Sequence, residues 1–129
     1  LIDFCVLGAG DWYMAHGLVG TLSYATNEYA EGPYQQKLFN WQNNALHFIK
    51  KNVGYVPGLV VHDFHGKKKD RKYGSRGKIL AVNKFNPDTD LKFDAHGMLQ
   101  LNTIDTRQIA LRDQIRGYFR ARNEDSIDL

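Results

Sequence analysis

The sequence predicts an α/β fold with few strands and flanking helices. Two short, continuously apolar runs, residues 2–7 and 53–61, read as strands. Around them lie segments whose apolar residues recur at spacings of three and four, the signature of amphipathic helices. No repeat, low-complexity tract or interdomain linker divides the chain, so one domain is expected over residues 1–129.

The elements follow in order. Residues 2–7 form the first expected strand. Gly8-Ala9-Gly10-Asp11 is a turn signal, and Asp11 suits the N-cap of a helix over residues 12–19. Residues 21–32 are polar and glycine-containing, a loop. Pro33 then opens a helix in which Tyr34, Leu38, Trp41, Ala45 and Phe48 share one face, ending at Lys50-Lys51. Residues 53–61 form the second expected strand, with Pro57 favouring an edge or a bulge. Residues 70–82 read as helical in part, weakened by Gly74 and Gly77. Residues 85–88 are a turn, and residues 90–102 a connection of low periodicity. A last helix, about residues 103–122, aligns Ile104, Leu111, Ile115, Tyr118 and Phe119, and a polar tail follows.

Composition narrows the function classes. The 129 residues are 43% hydrophobic and 24% charged, ordinary for a globular domain and too apolar for a disordered one. One cysteine, Cys5, allows no internal disulfide. No apolar run approaches the ~18 residues of a membrane span, and residues 1–7 lack the basic start of a secretory signal, so a cytoplasmic location is expected. A net charge of +3 is too small for a general nucleic-acid binder. The charge is uneven, however. Lys67, Lys68, Lys69, Arg71, Lys72, Arg76 and Lys78 are opposed in that stretch by Asp70 alone, which implies an anionic partner.

Three constellations could carry chemistry. Gly8-Ala9-Gly10-Asp11 combines glycines that admit close ligand approach with a carboxylate beyond an expected strand, the end at which open α/β sheets bind ligands. The third glycine of a dinucleotide fingerprint falls on Tyr13, which excludes that motif. His62 and His65, followed by Gly66, can converge on one metal ion if the chain turns after His62. The cationic run then supplies arginines for bidentate phosphate contact and lysines as point charges. Asp88-Thr89-Asp90 has paired-carboxylate spacing but follows Pro87 in a turn, where aspartates commonly bond to backbone. Trp12 could stack on a sugar, whereas Trp41 lies on a helix stripe and suits the core. His16, His47 and His96 suit packing or surface roles.

In this order the features resemble the C-terminal half of a GT-A fold glycosyltransferase of the family-2-like type found in bacteria and phages. The stretches that carry the resemblance are Gly8-Ala9-Gly10-Asp11, the segment from Pro57 through His62 to Gly66, and the basic segment after it. The resemblance implies a partial GT-A fold and metal-dependent, inverting sugar transfer from a nucleotide-sugar donor to a glycan or other hydroxyl acceptor. It implies Asp11 as catalytic base, Gly10 and Trp12 against the acceptor, and His62 or His65 on a divalent metal, Mn2+ or Mg2+. Lys67, Arg71, Tyr73 and Arg76 would hold the diphosphate. The family's metal-binding Asp-x-Asp precedes its acidic turn, and only seven residues precede Gly8 here. The chain is therefore expected to be one portion of a longer catalytic domain and inactive alone.

Two other classes fit parts of the pattern. A nucleic-acid-binding or phosphodiester-cleaving module would use His62, His65 and the cations, with binding that falls steeply with salt. A non-catalytic interaction domain would use the same half-fold as a partner surface.

Overall fold

The computed structural model describes residues 1–61, 67–122 and 124. Its elements are α1 (Gly10–Val19), α2 (Leu22–Ala25), α3 (Gly32–Ile49), α4 (Lys78–Val82), α5 (Pro87–Asp90), β1 (Leu91–Phe93), β2 (Leu99–Leu101) and α6 (Thr106–Ala121). Helices dominate, and a two-stranded antiparallel sheet accompanies them.

Helix α3 forms where its period places it. Pro33 sits in the first turn, where its missing N–H costs nothing, and Lys50 ends the helix in a left-handed conformation (φ 53°). Tyr34, Leu38 and Ala45 are buried on its core face, Trp41 is half-buried, and Phe48, on the last turn, is exposed. Helix α1 packs on α3 at a close crossing: a Cβ on Gly17 would lie 2.7 Å from the Trp41 ring. Helix α6 starts on a capping box. The Asp105 carboxylate accepts from the Gln108 amide at 2.7 Å, and the Gln108 side chain accepts from the Asp105 amide at 3.4 Å. Its buried face, Leu111, Ile115 and Tyr118, joins Leu22, Leu38, Leu80 and Phe85 in one core.

Both expected strands are corrected. Residues 2–7 pair with no other strand among the described residues. The backbone turns instead, with Val6 N donating to Phe4 O at 3.0 Å and Gly8 N to Cys5 O at 2.9 Å. The apolar character of the run has another cause: Ile2, Phe4 and Leu7 fill the core, and Phe4 meets the Tyr34 ring edge-on at 6.1 Å. Residues 53–61 also lie outside any ladder and are exposed throughout, Val56 and Val60 at 93% and 89%. β-branched content favours a pleated surface only where a neighbour supplies one.

The sheet lies where a plain connection was expected. Strands β1 and β2 pair Leu91 with Leu101, Lys92 with Gln100 and Phe93 with Leu99. Asp94 closes the loop by accepting from the His96 and Met98 amides at 2.8 and 2.9 Å, and Gly97 takes the left-handed position (φ 75°). Strands of three residues are too short to show an alternating pattern. No helix among the described residues is long and apolar enough to cross a membrane.

Candidate functional site

The glycine-rich turn builds one wall of a cavity of about 370 Å³. Gly8 (φ 86°) and Ala9 (φ 69°) are successive left-handed residues that reverse the chain into α1. Gly8 is also where the Arg76 guanidinium lies: a Cβ there would be 3.3 Å from both terminal nitrogens. Gly10 does not line the cavity, and a Cβ added there would lie 3.6 Å from the Cys5 Cβ and 3.9 Å from the Ile2 carbonyl. Asp11 is not the N-cap. Ala9 holds that position with no side-chain cap, and Asp11 stands exposed in the first turn, facing the positive end of the helix dipole. Trp12 beside it is half exposed, and its ring meets His16 edge-on at 4.4 Å.

The opposite wall comes from the basic segment. Arg76 stacks over the Tyr73 ring at 4.8 Å and donates from Nη1 to the Tyr118 hydroxyl at 3.3 Å. Tyr118 in turn donates to the Arg71 carbonyl at 3.0 Å, which ties this loop to α6. Arg71 stands behind the cavity rather than in it. Its Nη1 donates to the Tyr73 hydroxyl at 2.7 Å, and its Nη2 lies 3.7 Å from Glu124. Lys67 is exposed and outside the cavity.

The cavity thus brings together Asp11, Trp12, Tyr73 and Arg76, from segments about sixty residues apart in the chain, and leaves out Gly10, Lys67 and Arg71. Among the described residues that line it, Asp11 is the one carboxylate and Arg76 the one cation. His62 and His65 lie outside the described residues, and among the described residues no group of three or more His, Cys, Asp or Glu is placed to hold a metal.

Asn27, Tyr29 and Tyr34, which the sequence did not mark as site residues, also line the cavity. Asn27 carries an Asx turn, its side chain accepting from the Tyr29 amide at 3.0 Å, so the polar loop has a fixed shape. Tyr34 reads from its spacing as core and is buried, yet its ring also lines the cavity. Burial pushes its hydroxyl well above the ordinary phenol range, and it donates to Cys5 Sγ at 3.4 Å. Cys5 is pushed up to about 11, chiefly by burial, so its thiol stays protonated and unreactive near neutrality.

Asp88 and Asp90 do not form a paired-carboxylate site. Asp88 is exposed and pairs with Lys37. Asp90 is fully buried and held by Arg107, by Gln108 Nε2 at 3.0 Å and by the Asn86 amide at 2.9 Å.

No protein-family model matches the chain, and no curated protein or solved structure matches it.

Proposed function

We propose that the chain carries the acceptor and diphosphate side of a nucleotide-sugar glycosyltransferase. The observation that carries this reading is the single cavity holding an exposed carboxylate, an exposed indole and an arginine stacked on a tyrosine. Its volume lies within the range of small-molecule sites, about 300–1,000 Å³. Asp11 takes the proton of an acceptor hydroxyl while that oxygen bonds to the anomeric carbon. The bond from that carbon to the diphosphate breaks, and its electron pair leaves on the diphosphate oxygen. Arg76 meets the charge that develops there, and Tyr73 and Arg71 hold its surroundings. One direct displacement of this kind inverts the anomeric centre. Trp12 offers an apolar face to a sugar ring. In this reading His62 or His65 would hold a divalent cation, Mn2+ or Mg2+, which would supply electrostatic stabilisation of the diphosphate.

Calorimetric titration with UDP and GDP, each with and without Mn2+, tests the reading. Binding strengthened by the metal and weakened about tenfold or more in Arg76→Ala is the expected result. A response to short oligonucleotides that disappears in salt, with none to either nucleotide, overturns it in favour of the nucleic-acid module.

A further inference from the structure

A second cavity, of about 450 Å³, lies between the basic segment and α6. Its polar side is cationic, with Lys72, Arg76 and Lys78, and no carboxylate lines it. None of the ion pairs among the described residues uses these three side chains. Ile79 and Val82 of α4 supply apolar lining, Ser75 and Gln114 neutral polar lining, and Gly117 of α6 contributes bare backbone. Gly117 lies inside α6, where glycine is less favourable than alanine because its backbone loses more freedom on folding. No close packing demands it, since a Cβ there would meet nothing within 4 Å. What the glycine does is leave the apolar side of the groove open. Val82, which lines the same groove, is 65% exposed among the described residues.

From this we infer that the groove binds an anionic amphiphile: a phosphate-bearing head on Lys72, Arg76 and Lys78, and an alkyl body along Ile79, Val82 and Gly117. Three cations that enter no ion pair among the described residues select the head by charge, and the apolar lining selects the body by burial. The groove shares Arg76 and Tyr118 with the residues that form or brace the first cavity, so its test rests on Lys72, Lys78, Val82 and Gly117, which do not line that cavity.

Calorimetric titration of the full chain with butyl, hexyl and octyl phosphate below their micelle concentrations provides the test. Inorganic phosphate and octyl glucoside serve as head-only and body-only probes. Affinity should rise about fourfold for each methylene the groove buries, and octyl phosphate should bind at least tenfold tighter than either control. Gly117→Leu fills the groove from a helix position with room for a side chain and should weaken octyl phosphate at least tenfold. Val82→Glu, at an exposed site, places a carboxylate beside the cations and should do the same if the leucine variant fails to fold. Lys72→Ala with Lys78→Ala should lower octyl phosphate affinity about tenfold. Equal binding of inorganic phosphate reduces the groove to a simple anion site and overturns the proposal. So does equal binding of octyl glucoside, absence of any binding, or indifference to both groove-filling variants.

Discussion

Arg107 grips Asp90 with both terminal nitrogens, Nη1 to Oδ2 at 2.9 Å and Nη2 to Oδ1 at 2.5 Å, and joins the end of α5, just before the β-hairpin, to α6. The pair is asymmetric: the Asp90 side chain is 0% exposed and that of Arg107 36%. The same guanidinium donates to the Asn83 carbonyl at 2.9 Å, so three segments meet at one side chain.

That asymmetry ranks two truncations. Arg107→Ala leaves a buried carboxylate without its counter-charge and should cost about 3–5 kcal/mol near neutral pH. Asp90→Ala leaves a guanidinium that water already reaches, together with an unpaired Asn86 amide and Gln108 side chain, and should cost about 1–3 kcal/mol. Urea denaturation of the two single variants and the double variant checks the order. A double variant more stable than Arg107→Ala alone is the expected sign of the stranded charge.

Acid should reveal the same pair. Burial alone would raise the Asp90 pKa, but hydrogen bonds from Arg107, the Asn86 amide and Gln108 outweigh it and hold the carboxyl below the usual carboxylate range. Its folded-state pKa is thus depressed relative to the unfolded chain. The stability it contributes is fully present above the unfolded value, about pH 4, and disappears as pH falls through the folded value. Denaturation midpoints from pH 7 down to pH 3 should therefore fall more steeply in the parent than in Asp90→Asn. In Arg107→Ala the deficit should shrink on acidification, because the stranded acid can take up a proton. Parallel acid limbs in the parent and Asp90→Asn would remove Asp90 from this role.

Two glycines inside helices should respond to alanine with opposite signs. At Gly17 the added methyl would sit 2.7 Å from one Trp41 ring carbon and 3.0 Å from the next, so the Trp41 ring or the helices must shift. Overpacking of this kind costs about 1–3 kcal/mol, more than the helix-propensity gain of about 1 kcal/mol. At Gly117 the methyl meets nothing, and the propensity gain should appear as about 0.5–1 kcal/mol of added stability. Thermal unfolding followed by tryptophan fluorescence distinguishes them, with a shift in the Trp41 signal expected for Gly17→Ala only.

Helices α3 and α6 were legible because their apolar residues repeat at the helical period, with Pro33 marking the start of α3, whereas α1 was legible from the glycine-rich turn that precedes it. The strands were not. A largely apolar run such as Ile2-Asp3-Phe4-Cys5-Val6-Leu7 carries the same local pattern whether it enters a sheet or folds irregularly into a core, and only the presence of a partner strand decides. The hairpin was hidden by its short strands, although Asp94 and Gly97 are its turn residues. For the cavity, Asp11, Trp12, Tyr73 and Arg76 were readable from residue type and order. Tyr118 was legible only as a core residue, because no local pattern distinguishes a tyrosine that packs from one whose hydroxyl also braces an arginine.

That hydroxyl provides the closing prediction. Tyr118 is 5% exposed, donates to the Arg71 carbonyl and accepts from Arg76. Tyr118→Phe keeps the ring in the core and removes both hydrogen bonds, so the global cost should be modest, about 1 kcal/mol. Arg76 would then keep its stack on Tyr73 but lose the contact that fixes its other side. If Arg76 binds a diphosphate, UDP affinity should fall several-fold in Tyr118→Phe, less than the tenfold or more expected for Arg76→Ala. Combining the two should add little, since the hydroxyl acts through the arginine. A purely structural Tyr118 makes a different forecast: stability falls, UDP affinity holds, and the double variant binds no differently from Arg76→Ala alone. Titration of the parent, both single variants and the double variant separates these outcomes, with the affinity of Tyr118→Phe itself as the deciding measurement.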